Sequence, residues 1–276
     1  MPISQSPQEI VDYIIGFLYN DRKALGSSSL VCRSWRPSSQ QALFHAIRVQ
    51  LAKQSLNDAV SFLTQMSDTP GAPWAPPQRH VRHFTIQGTG ISTKDGFVIT
   101  PQDLTMIFRI LPQLRSLTLL SLSFGDDQGP FASERYPLQL LALRNVFGKG
   151  TRSSLVSSLL SICSPRALHL SSLNFVTSAS QIAWPEPIPN LPGVEFLILR
   201  SRWSIVPFLE LFGHGALKSL DVSCYVTSDV QALGHFLLRA GHHLECYSLD
   251  LTDFIMRTPN RTWHPNVLVK MLFILL

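Results

Sequence analysis

The chain has 276 residues, of which 45% are hydrophobic and only 15% charged. A globular chain carries about 25% charged residues and disorder needs the opposite bias, so a largely unfolded chain is excluded and a sizeable core in one or two domains is implied. The net charge of +5, from 23 Lys and Arg against 18 Asp and Glu, is spread along the chain with no basic block or tail. The pI near 9.2 is therefore no pointer to nucleic acid, and no nucleic-acid partner is expected.

Cys32, Cys163, Cys224 and Cys246 are scattered, and no charged-then-apolar signal segment opens the chain. Both facts favour free thiols in a reducing, intracellular compartment, cytoplasm or nucleus. No run of about 18 apolar residues occurs, so no membrane span is expected.

Residues 1–50 read as a small helical unit. Ser6 is placed to cap a helix, Pro7 suits its first position, and Glu9 follows three residues after the cap. Ile10, Tyr13, Ile14, Phe17 and Leu18 then recur at helical spacing and form an apolar stripe. Asn20-Asp21 breaks the run. Ala24 and Leu25 open a second turn, kept short by Gly26 and three serines, and Leu30 to Arg36, "LVCRSWR", is closed by Pro37. Ser39 to Ile47 reads as a last helix, with Leu43, Phe44 and Ile47 on one side. These short helices hold too few apolar residues for a strong core of their own.

Residues 51–78 read as a connection: a helix over Lys53–Met66 with Leu56, Val60 and Leu63 on one face, then a stiff stretch marked by Pro70, Pro73, Pro76 and Pro77. Residues 79–276 repeat a pattern of apolar residues at offsets 1, 4 and 6. Seven segments fit it: Val81/Phe84/Ile86, Leu114/Leu117/Leu119, Leu138/Leu141/Leu143, Pro165/Leu168/Leu170, Val194/Leu197/Leu199, Leu217/Leu220/Val222 and Cys246/Leu249/Leu251. Pro165 alone is not an apolar residue of the usual kind. The middle positions lie 33, 24, 27, 29, 23 and 29 residues apart.

This pattern resembles the strand part of a leucine-rich repeat, whose period is about 20–29 residues. The position that such repeats reserve for Asn or Cys is filled by Leu122, Val146, Leu173, Arg202, Tyr225 and Phe254, with Asn145 and Asn174 one residue off it. Helical patterns fall between the strands over Pro101–Leu111, Ser153–Ile162 and Asp229–Leu238. The expected fold class is therefore α/β: a short all-α unit followed by a repeat solenoid, with parallel strands on one face and helices on the other. The apolar tail "VLVKMLFILL" leaves two readings open, a docking final helix or a missing continuation.

Residues 6–47 resemble an F-box. Pro7, Glu9, Ile10, Ile14, Leu18, Leu25, Leu30, Val31, Cys32, Trp35, Leu43 and Phe44 fill the places of that family's pattern. Ser6 stands where the family has Leu, which removes one apolar contact. The rest resembles, more loosely, the irregular repeat regions of fungal F-box proteins. The resemblance implies a non-enzymatic substrate-recognition adaptor of a cullin–RING ubiquitin ligase. Pro7, Ile10, Ile14, Leu18, Leu25, Leu30, Val31, Cys32, Trp35 and Phe44 would meet the SKP-type adaptor, with Trp35 as anchor. The solenoid would bind a target protein through strand-flanking positions: His83, Arg115, His169, Arg200 and Lys218, with Thr85, Thr118 and Asp221 beside them. The alternative is an F-box scaffold acting outside ubiquitylation.

Catalytic and cofactor motifs are weak. Gly-x-Ser-x-Gly is absent, Gly88-Thr89-Gly90 lacks the third glycine of a dinucleotide loop and reads as a turn, and no zinc-like spacing links His80, His83, His242 and His243. Asn260-Arg261-Thr262 matches a glycan acceptor but follows no secretion signal. Neither catalytic residues, metal nor cofactor are expected.

Overall fold

The computed structural model of the chain describes residues 6–51, 61, 64–65, 77–88, 98–125, 135–149, 152–176, 193–200, 205, 208–209, 212, 216–224 and 227–250. Three helices come first: α1 (Gln8–Phe17), α2 (Arg22–Val31) and α3 (Arg36–Phe44). Twelve strands follow among the described residues: β1 (Ala46–Leu51), β2 (His83–Gly88), β3 (Val98–Ile99), β4 (Ser116–Leu120), β5 (Ser123–Phe124), β6 (Tyr136–Arg144), β7 (Phe147–Lys149), β8 (Cys163–Ser171), β9 (Asn174–Val176), β10 (Phe196–Arg200), β11 (Ser219–Ser223) and β12 (Cys246–Asp250). Between them lie the helices α4 (Pro101–Ile110), α5 (Arg152–Ile162) and α6 (Thr227–Ala240).

The chain is thus mixed α/β, built on a parallel sheet of eight strands in the order β1-β2-β4-β6-β8-β10-β11-β12. Its register runs Ile47–Phe84–Leu117–Leu141–Leu168–Leu197–Leu220–Tyr247 in one row, and Val49–Ile86–Leu119–Leu143–Leu170–Leu199–Val222–Leu249 in another. Alternation along a strand sends both rows to the same face. There they join Leu104, Ile107, Phe108 and Leu111 from α4 and its end, Leu155, Leu159 and Ile162 from α5, and Leu233 and Phe236 from α6 in one core. Offset 1 is buried in the first six expected segments, Pro165 included. In the seventh the register sits two residues earlier than expected: Tyr247 and Leu249, not Leu249 and Leu251, face Leu220 and Val222.

A second parallel sheet, β3-β5-β7-β9, continues the first around a corner. The bend is made by Ser121, Asn145 and Ser172, all left-handed with φ of 51, 53 and 51°. Asn tolerates this region better than most residues, and Asn145 Nδ2 donates to Ser121 Oγ of the neighbouring bend at 3.2 Å. Leu122, Val146 and Leu173, the residues in the Asn/Cys slot, follow each bend and are fully buried. The slot is filled by apolar side chains because it points into the core at the corner. Gly88, read as a turn, is instead the last residue of β2. A Cβ there would lie 2.2 Å from the Ser121 carbonyl oxygen.

The helical unit departs from expectation in four places. Pro7, not Ser6, occupies the N-cap of α1 and no side chain caps it, because the helix begins one residue later. The second turn is a full ten-residue helix. Asp21 caps it by accepting from Ala24 N at 3.0 Å, and the Ser28 and Ser29 hydroxyls donate back to the Ala24 and Gly26 carbonyls. Pro37 starts α3 near its first turn, where a missing N–H costs nothing. The last helix stops at Phe44, and Ile47 belongs to β1, which pairs with β2. The alternation Ile47-Arg48-Val49-Gln50-Leu51 is compatible with a strand, and pairing with β2 selects it. The expected helix over Lys53–Met66 falls largely outside the described residues, as does the apolar tail.

Candidate interaction surfaces

The helical unit has a core of three buried residues, Val11, Ile15 and Leu25, closed by half-buried Leu18, Trp35, Ala42 and Leu43. Helix α1 is apolar on both sides, so Val11 and Ile15 turn inward and the predicted stripe, Leu18 excepted, turns outward. Ile10 is 51% exposed, Tyr13 70%, Ile14 38% and Phe17 73%. Tyr13 and Phe17 meet edge to face at 4.8 Å. At the end of α2, Leu30 and Val31 are exposed by 78% and 59%.

Of the residues expected to meet an adaptor, Pro7, Ile10, Ile14, Leu30 and Val31 are exposed. Leu25 is not available: it is fully buried in the small core. Leu18 and Trp35 are half-buried against that core, so Trp35 props the unit from within rather than projecting as an anchor. Its Nε1 is buried with no hydrogen-bond partner among the described residues. Cys32, whose Sγ lies 3.0 Å from Ser34 Oγ, and Phe44 are half-buried. Tyr13 and Phe17 were missed as contact residues, although the same i, i+3, i+4 spacing carries them.

The second surface is the sheet face opposite the core. Register places Arg48, Thr85, Thr118, Ala142, His169, Ile198, Asp221 and Ser248 in one row across it. His83 lies two residues before Thr85 and Arg200 two after Ile198, on the same face. Arg200 Nη2 binds Asp221 Oδ2 at 2.8 Å, and Arg144 Nη2 lies 3.3 Å from His169 Nδ1. Arg115 and Lys218 do not share that face. They stand just before their strands, in a column where backbone hydrogen bonds link His45, Arg82, Arg115 and Gln139, and again Arg166, Glu195, Lys218 and Glu245. Glu195 Oε2 takes Arg166 at 3.0 Å and Lys218 at 3.4 Å. Arg82, Arg144, Arg166 and Glu195 were overlooked, yet they occupy the slots, offset 2 or offset 7, that singled out Arg115, Lys218 and Arg200.

At the start of β2 the rings of His45 and His83 lie 4.8 Å apart. Burial holds both below the ordinary histidine value of 6.5, and nearby cations add to this: His83, Arg82 and Arg115 act on His45, and Arg115 acts on His83. His80 and His169 are lowered chiefly by burial too. Below 6.5 the unfolded chain binds protons that these histidines refuse, so stability is full above that value and falls as pH drops through it. Urea midpoints should fall from neutral to mildly acidic pH, and His83→Gln/His169→Gln should flatten the slope.

The Cys163 and Cys224 thiols are buried and pushed up to about 12 by burial, away from reactivity. Among the described residues no group of three His, Cys, Asp or Glu could hold a metal ion, and no helix is long and apolar enough to cross a membrane. No protein-family model matches the chain, and searches of curated proteins and of solved structures give no match.

Proposed function

We propose that the chain is a substrate-recognition adaptor of a cullin–RING ubiquitin ligase. In this reading α1–α3 are an F-box that docks on an SKP-type adaptor protein. The stacked strands are a leucine-rich-repeat-like solenoid whose open face holds the target. The chain itself does no chemistry: tethering raises the concentration of target near the transferring subunits. Such a role places the protein inside the cell, in cytoplasm or nucleus.

One observation carries the reading. A unit with three buried hydrophobic residues leaves Ile10, Tyr13, Ile14 and Phe17 in solvent along a single helix, and a stripe of this kind asks for a protein partner. The sequential parallel order of the eight strands, with core leucines in register, supports the solenoid.

The test is binding of purified SKP-type adaptor to the full chain and to Ile14→Asp/Phe17→Asp. Both changes are at exposed positions, so helicity should persist. Aromatic and aliphatic anchors cost about 2 kcal/mol or more at such interfaces, and a loss of at least tenfold is expected. No binding by the wild type, or unchanged binding by the variant, refutes the reading. Adaptor capture without cullin would favour the scaffold role outside ubiquitylation.

A further inference from the structure

The large sheet is divided by charge across its open face and the column of residues beside it that precedes the strands. On β1, β2, β4 and β6, with the residues just before them, stand Arg48, Arg82, Arg115 and Arg144, together with His45 and His83, and no Asp or Glu. On β8, β10, β11 and β12 the cations Arg166, Arg200 and Lys218 are balanced by Glu195, Asp221, Glu245 and Asp250. There Glu195 and Asp221 are already engaged with those cations.

The guanidinium groups of the first half are held by neutral acceptors. Arg48 donates to Gln87 Oε1, Arg82 to the Gln113 side chain and carbonyl, and Arg144 meets His169. Such partners orient a guanidinium without cancelling its charge. Arg115 is exposed just before β4. Arg82 and Arg115 stand side by side just before adjacent strands, at about 4.8 Å spacing and so within a Debye length of about 8 Å, while Arg48 and Arg144 stand farther along their strands and extend the positive field along an elongated ligand.

We propose that this half of the face, together with the column beside it, is the docking surface for an acidic protein segment, rich in aspartate and glutamate. Charge complementarity selects the ligand's sign. The outward positions of the four strands carry threonine, glutamine, leucine and alanine between the arginines and no Phe, Tyr or Trp. The stacking platforms that single-stranded nucleic acid needs are missing, whereas an extended peptide needs only spaced cations and small side chains between them. As the identity of the target class, the inference rests on the adaptor reading. As a binding surface, it stands without it.

The experiment is fluorescence anisotropy with the full chain and a labelled glutamate-rich peptide, beside a lysine-rich peptide and an oligothymidylate. The acidic peptide should bind and the basic one should not. Arg82→Gln/Arg115→Gln should weaken acidic binding at least tenfold. Arg109→Gln/Arg239→Gln removes the same charge from exposed helical positions and should change it less than twofold. No binding of the acidic peptide, equal losses from both pairs, or tighter binding of the oligothymidylate abolished by the first pair would overturn the proposal. The first pair should still capture the SKP-type adaptor as the wild type does. Loss of acidic binding with capture intact isolates this surface, whereas a wild type that binds acidic peptide but no adaptor refutes only the adaptor reading.

Discussion

Gly88→Ala should destabilise the protein by about 3 kcal/mol, read as a lower urea midpoint. Glycine to alanine at an unstrained site stabilises by about 0.4–1 kcal/mol, because the unfolded chain loses freedom. At Gly88 the added Cβ would sit 2.2 Å from the Ser121 carbonyl oxygen and 3.2 Å from its carbonyl carbon. Both are backbone atoms, so relief requires moving β4 at the corner, and overpacking of this kind costs about 1–3 kcal/mol or more. The steric term exceeds the entropic one. Gly16→Ala reverses the sign: nothing lies within 4 Å of a Cβ in the exposed α1 position, and a gain of about 0.5–1 kcal/mol is expected. Equal effects at the two glycines would contradict the close approach at the corner.

Leu25→Ala should melt α1–α3 while leaving the sheet folded. Truncating a buried leucine costs about 2–5 kcal/mol. Leu25 is one of only three fully buried residues in its cluster, so no reserve remains to absorb the loss. The sheet and helices α4–α6 share a separate, much larger core. Hydrogen exchange should lose protection over residues 8–44 and keep it over β4, β6 and β8, and adaptor capture should vanish with the helices. Equal loss of protection across the strands would show that the two cores unfold together.

The strands of the large sheet were legible from offsets 4 and 6, because a side chain buried against helices must be apolar at every repeat. The helix spans over residues 101–111, 153–162 and 229–238 were legible from 3.6-residue spacing for the same reason. Strand β1 was not, because six residues after a helix fit either period until their partner β2 is known. The second sheet was not, because strands of two or three residues carry no periodicity. The register of β12 slipped because Tyr247 and Ser248 sit on the last described strand, where burial is incomplete and the apolar signal fades. On the surfaces, exposure of Ile10 and Ile14 followed from the helix stripe, whereas the inward turn of Leu25 and Trp35 depends on how α2 and α3 close on α1. The charge division of the sheet face was invisible in the even linear distribution of Lys and Arg. Only strand pairing sets Arg48, Arg82, Arg115 and Arg144 on or just before four neighbouring strands, from positions nearly 100 residues apart in order.

The passage from α3 into β1 has a mechanical meaning. His45 alone separates Phe44 from Ala46, and its carbonyl accepts from the Arg82 and His83 amides. Arg22 reaches from α2 to the Ala46 carbonyl at 2.8 Å, and Tyr19 abuts the His45 ring. No swivel exists at this joint. Under the adaptor reading, a partner on the amino-terminal knuckle would be held at a set bearing to one lying across the strands, with spacing and aim built into this short, braced elbow.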